Sequence, residues 1–362
     1  MPLNSFVVIF LLILIGILGS IIARMVRLPR ALLFITLGMI IQFWQFKFGE
    51  LVNSSEPLFH SIALGVLVFC VLDHALQLNL HEWTSFTHGF FRFTVIRMLL
   101  TIIGIGIIAH LTQALVLPAI LVGLLVCAGA PELLRKKHSQ EALLFNVDAT
   151  ISSSLSITGV FLLIVASRGA SVLDAVRNSV VGFFITIATG FFIGLLFYRL
   201  IRLSGQPFAR LSVFLLGVVT FVLGERFAPG LGVLATLSFG LMLANAKLPQ
   251  ELLHGSWITG IAESAAFVLL GISIPFSQTA WLAGILLLTL IIVARYLAII
   301  FTQPRMHKAM VCLSNPLGMP VAATSVYLAT TLPYLQHFFL ALPVVIFLSL
   351  VLHCAVNYPL AD

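Results

Sequence analysis

Asp148 is a lone carboxylate in a long apolar run, EALLFNVDATISSSLSITGVFLLIVAS, from Glu141 to Ser167. A charge held at membrane depth is expensive, and it is kept mainly where it handles ions or protons. Oxygen-bearing groups lie near it in sequence: Asn146, and the run Ser152, Ser153 and Ser154. With Asn315 on a later segment, they could ligate a cation that shares the carboxylate with a proton. The structural alternative is a carboxylate merely satisfied by hydroxyls, and serines in such helices often just bond back to their own backbone.

Four more charges interrupt apolar runs: Asp73 (FCVLDHALQ), Arg97 (FTVIRMLL), Glu263 (IAESAAFVLL) and Arg295 (IIVARYLAI). Glu263 and Arg295 fall on consecutive segments and are expected to pair and fix the helices around the site. Asp73 and Arg97 lie near segment ends and are expected to reach out to water. Glu132, three residues before Arg135-Lys136-Lys137, is expected near water too. Asp148 then has the least evident charged partner. That makes it the leading candidate for a carboxylate that trades a proton for a cation.

These residues need a membrane scaffold, and composition supplies one. Hydrophobic residues make up 60% of the chain and charged residues 9%, with a mean hydropathy of +1.16. Soluble domains carry roughly 25% charged residues. The fold class is an all-α polytopic membrane protein. The formal charge of +7 is dispersed between apolar segments, which argues against nucleic acid. Cys70, Cys127, Cys312 and Cys354 stand singly without metal spacing, so free thiols are expected and no metal site. No Walker or dinucleotide glycine motif occurs, and a transporter without cofactors is expected rather than an enzyme.

Runs of roughly 17–25 apolar residues span a bilayer. Thirteen are read: Asn4–Ala23, Ala31–Phe48, Phe59–Gln77, Phe93–Leu111, Leu115–Leu134, Glu141–Ser167, Val176–Leu200, Phe208–Gly224, Gly230–Asn245, Trp257–Ile274, Trp281–Phe301, Met310–Leu328 and Phe338–Asn357. The odd connections carry Arg24, Arg27 and Arg30; Arg92; Arg135, Lys136 and Lys137; Arg202 and Arg210; Lys247; and Arg305 and Lys308. The even ones carry only Lys47, Arg168, Arg177 and Arg226. Odd connections are therefore expected in the cytoplasm, with the N-terminus outside and the C-terminus inside. The first span lacks the charged start of a cleavable signal peptide. A single transmembrane domain, residues 1–362, with no soluble domain is expected.

Val126–Pro131 reads VCAGAP and Val311–Pro316 reads VCLSNP, in the fifth and twelfth spans, which run in opposite directions. Breakers accompany both: Gly129 and Pro131 in one, Pro316, Gly318 and Pro320 in the other. Inverted repeats with broken helices meeting at the substrate site are a transporter signature. The repeats are expected at about residues 4–167 and 208–357. Opposed breaks free backbone carbonyls and amides at depth, useful beside an ion and costly elsewhere.

Several segments, in order, resemble the monovalent cation/proton antiporter superfamily, whose members include sodium/proton exchangers. RMVRLPRALLFITLGMIIQ (Arg24–Gln42) is similar to the second span and LDHALQLNLHEW (Leu72–Trp83) to the third-span ending. NVDAT (Asn146–Thr150) resembles the sixth-span motif whose Asp carries ion and proton. GVLATLSFGLMLANA (Gly232–Ala246), AESAAFVLLGISI (Ala262–Ile274) and ARYLAI (Ala294–Ile299) resemble the ninth, tenth and eleventh spans. The resemblance implies a scaffold bundle, a core in which the fifth and twelfth spans cross as broken helices, and a homodimer in the cell (inner) membrane. It implies that Asp148 alternates between cation and proton, with Glu263, Arg295 and Asp73 organising the core.

The chain departs from that pattern at three places. The usual Thr-Asp-Pro of the fifth span is Gly129-Ala130-Pro131, Val147 precedes the Asp with Asn146 one place early, and Gly318 stands where an Arg is common. Two alternatives stay open: an antiporter scaffold with lost or altered coupling (a sensor, partner subunit or passive pathway), and a carrier for another solute. Na⁺ and K⁺ are both hard cations bound by oxygen, so sequence leaves the choice between them open.

Overall fold

The computed structural model describes residues 16, 19, 29–48, 56–76, 88–111, 116–129, 140–167, 171–204, 209–246, 257–302, 317, 319–331 and 341–357. Among the described residues are twelve helices and no strand: α1 (Arg30–Phe48), α2 (Glu56–Leu76), α3 (His88–Leu111), α4 (Val116–Cys127), α5 (Gln140–Ser167), α6 (Val172–Ser204), α7 (Ala209–Phe227), α8 (Gly232–Ala244), α9 (Trp257–Ile272), α10 (Gln278–Thr302), α11 (Met319–Thr331) and α12 (Ala341–Asn357). Most of the expected first span and the first half of the twelfth lie outside the described residues, as do Ala130, Pro131, Asn315, Pro316 and Gly318.

In an apolar solvent every backbone amide and carbonyl must be paired internally, and a helix does this within one segment. Polar side chains in these helices follow the same rule. Thr101, Thr186, Thr220 and Thr302 each donate to the carbonyl four residues back, at 2.6–2.8 Å. Arg92–Leu111, Leu173–Ile201 and Gln278–Thr302 are long and apolar enough to cross a membrane, with mean hydropathies of 2.0, 2.4 and 2.5. Seven further apolar helices among the described residues are shorter.

The chain divides into two compact units, with boundaries inside α2, α5 and α9. The first comprises Met1–Val66, Thr87–Ser153 and Ile261–Asp362. In it α3 packs on α4 and α10, α12 packs on α10, α1 and α11, and α11 meets α4. Phe93, Ala149, Ala298 and Ile299 form a buried cluster that ties α3, α5 and α10 together. Gly38 of α1 and Gly271 of α9 lie backbone to backbone: a Cβ on either would strike the other helix. Close contact through small residues is the usual way apolar helices associate without a hydrophobic driving force.

The second unit comprises Leu67–Phe86 and Ser154–Gly260. Here α6, α7 and α8 pack on one another, around a core containing Leu72, Phe197, Phe214 and Phe239. The turn from α7 to α8 is held by Glu225, whose carboxylate accepts the N–H of Gly230 at 2.7 Å and of Gly232 at 3.0 Å. Gly230 has φ 89°, a left-handed conformation suited to glycine.

Candidate ion and proton site

The site is built on α3, α4 and α5 of the first unit. Along α3, Thr94, Arg97 and Thr101 recur at spacings of three and four, so they share one helix face, and all three are buried. The apolar run starts at Phe93, but the helix starts five residues earlier, at His88. Arg97 is therefore roughly 14 Å along the helix from its first residue. The expectation that Arg97 reaches water from a helix end is wrong, because the end is not there. Its side chain is 1% exposed.

Arg97 turns to Asp148. Its Nη2 lies 3.2 Å from both Oδ1 and Oδ2, and Asp148 is 3% exposed. Thr94 adds a hydrogen bond, its hydroxyl donating to Oδ1 at 2.7 Å. The least evident partner in the sequence is thus present in the fold, 51 residues away. A buried ion pair of this kind is held by charge-assisted hydrogen bonds that offset the desolvation of both groups.

The second anchor is the end of α4. This helix runs for twelve residues, roughly 18 Å and well short of a bilayer's hydrocarbon thickness. Ala128 closes the last turn with a hydrogen bond to Leu125, and Ala128 and Gly129 are not helical. Helix ends leave carbonyls unpaired and carry partial negative charge, which a cation stabilises. Nη1 of Arg97 donates to the Cys127 carbonyl at 2.8 Å. Ser153 Oγ lies 2.8 Å from the Gly129 carbonyl and 2.6 Å from the Ala149 carbonyl of its own helix, so its one proton is shared between them. On α11, which also packs on α4, the helix starts at Met319, with Pro320 in its first turn, where a missing N–H does no harm. Leu317 just before it is non-helical and donates its N–H to Ser349 Oγ of α12 at 3.2 Å.

The other candidates sort as follows. Ser152 is fully buried, with its hydroxyl turned back to the Ala149 carbonyl at 3.3 Å. Asn146 lies on α5 two residues before Asp148. Arg295 is buried on α10, one turn before the Ala298 and Ile299 that pack on Ala149. Glu263 is half-buried on α9, also in the first unit. Asp73 belongs to the second unit and is 5% exposed, so the expectation that it reaches water fails as it does for Arg97. Beside it, His74 Nε2 lies 3.2 Å from Ser154 Oγ. Sequence reasoning missed the roles of Thr94 and Arg97. The signal was present: a polar stripe at helical spacing on an otherwise apolar segment.

The chain matches the family model of the sodium/hydrogen exchanger, transmembrane, over residues 9–360. It belongs to the sodium/hydrogen exchanger family. The fold is similar to that of the sodium proton antiporter MjNhaP1 from Methanocaldococcus jannaschii, with a TM-score of 0.77 at 18% identity, covering 99% of this chain and 98% of that one. No curated protein matches the chain in sequence. Family membership makes this exchanger-family chain an integral membrane transporter and not an enzyme.

Proposed function

We propose that this protein exchanges a monovalent cation, Na⁺ or K⁺, for protons by alternating access at Asp148. The observation that carries the reading is a buried carboxylate beside the end of a twelve-residue helix. Its negative charge can be met in turn by Arg97, a proton or a cation. Broken helix ends beside an ion are the arrangement expected of a secondary transporter. A sodium proton antiporter with a similar fold supports the same reading.

In this account Asn146, Ser152 and Asn315 are the candidate oxygen ligands that share the ion with Asp148. Glu263, Arg295 and Asp73 organise the helices. Gly129, Pro131, Pro316, Gly318 and Pro320 set the two breaks. Antiport needs no ATP, because Asp148 holds either ligand but not both. We further propose an N-outside, C-inside orientation in the cell membrane, inverted repeats at about 4–167 and 208–357, and a homodimer. The test is a proteoliposome assay with a pH-sensitive dye inside. Addition of Na⁺, K⁺ or Li⁺ outside should move protons; no proton movement with any of them sinks the reading.

A further inference from the structure

Two side chains of α3 meet the Asp148 carboxylate, and they differ in what they can do once a proton or a cation takes its charge. The Arg97 guanidinium has donors only and carries a charge that repels a cation. The Thr94 hydroxyl is uncharged, with one rotatable proton and two acceptor lone pairs. Its Oγ1 lies 2.7 Å from Asp148 Oδ1, and both residues are buried in the same compact unit. An ion held on Oδ1 therefore has the threonine oxygen within reach. The buried Thr101 and Thr220 donate to the carbonyl four residues back in their own helices. Thr94 directs its proton to a carboxylate 54 residues away, so that bond weakens when the carboxylate's charge is taken.

We propose that Thr94 is a ligand of the transported cation: its hydroxyl oxygen and Asp148 Oδ1 together coordinate a partly dehydrated, hard monovalent cation. On the empty carboxylate the hydroxyl donates, as observed. On the protonated carboxyl it accepts the carboxyl proton. With the cation bound it turns its proton away and offers a lone pair, the oxygen coordination that hard cations take. Thr94 thus has a partner in each of the three states and adds no charge to any of them. This rests on the exchange reading of Asp148 and adds to it a ligand from α3.

The experiment uses full-length protein in liposomes with a pH-sensitive dye inside. Initial rates of proton movement are measured against Na⁺ concentration, at a pH alkaline enough that the wild-type KM no longer changes with pH. Protons then no longer compete for the site, and KM follows the cation alone. Thr94→Val should raise KM at least about fivefold, the loss of one oxygen ligand, with kcat within about twofold of wild type. Thr94→Ser, which keeps the hydroxyl, should stay within about twofold of wild type in KM. The Na⁺ concentration that half-saturates thermal stabilisation of the protein in detergent should shift by the same factors. A residue that only steadied the empty carboxylate would give the opposite sign, because Na⁺ would then have one hydrogen bond fewer to displace.

An unchanged or lower KM in Thr94→Val overturns the proposal. A KM in Thr94→Ser as high as in Thr94→Val overturns it too, because packing and not the hydroxyl would then be the cause. If Thr94→Val does not fold, Thr94→Cys decides, since it puts a soft sulfur where a hard cation needs oxygen; a wild-type KM there overturns the proposal. Absence of proton movement in wild type with Na⁺, K⁺ and Li⁺ alike defeats the exchange reading itself, a separate and recognisable outcome.

Discussion

Arg97 donates from Nη1 to the carbonyl oxygen of Cys127 at 2.8 Å, the residue at which α4 ends. The same guanidinium pairs with Asp148, so one side chain serves a helix end and a carboxylate. Three helices meet at this point. The carbonyls of Cys127 and Gly129 at this end are met by groups from α3 and α5.

Breaking the pair from one side leaves an uncompensated buried charge. Arg97→Met should destabilise the protein by about 3–5 kcal/mol. Replacing both partners, Arg97→Met with Asp148→Leu, should cost less than the sum of the two single changes, because no orphaned charge remains. Thermal unfolding in detergent, run as a double-mutant cycle, measures this. Additive losses would mean that the two groups do not interact.

Thr94→Val keeps the side-chain shape and deletes the hydroxyl that donates to Asp148 Oδ1. A hydrogen bond to a charged group contributes about 1.5–3 kcal/mol. The variant should melt lower than wild type but higher than Arg97→Met. Equal melting of Thr94→Val and wild type would show that the bond contributes nothing.

Ser152 and Ser153 are neighbours with different work. Ser153 reaches the Gly129 carbonyl beyond the end of α4, while Ser152 bonds only within its own helix. Ser153→Ala strands a buried carbonyl and should cost about 1–3 kcal/mol; Ser152→Ala should cost clearly less. The same melting assay separates them, and the reverse order would contradict the capping role.

The crossing of α1 and α9 depends on Gly271, where a Cβ would run into the Ile35 carbonyl. Gly271→Ala should destabilise by about 1–3 kcal/mol through overpacking. Gly106 on α3 has open space around its Cβ direction. Gly106→Ala there should be neutral or stabilising by up to about 1 kcal/mol. Recovered yield and melting temperature of the two variants make the comparison.

The all-helical class was legible because the apolar runs are long and backbone pairing leaves few options in an apolar solvent. Asp148 was legible as a residue in a costly place. Its partner was not, because the pairing of α3 with α5 links residues 51 apart, and local pattern carries no information on which helices meet. The run Phe93–Leu111 also understated its helix: HGFFR is helical although it contains His88 and Arg92. That shift of one and a half turns moved Arg97 from an apparent end to the interior. The serines were visible as oxygen donors, but only the positions of α4 and α5 show that Ser153 caps a break and Ser152 does not.

On the proposed reading Asp148 carries both ligands of an exchange. Wild type and Asp148→Asn, reconstituted at equal density in liposomes with a pH-sensitive dye inside, test it side by side. Wild type should move protons on addition of a monovalent cation, and Asp148→Asn, with matched melting and monodispersity, should fall to the level of protein-free liposomes. Cation-driven proton movement in Asp148→Asn equal to that of wild type would contradict the account.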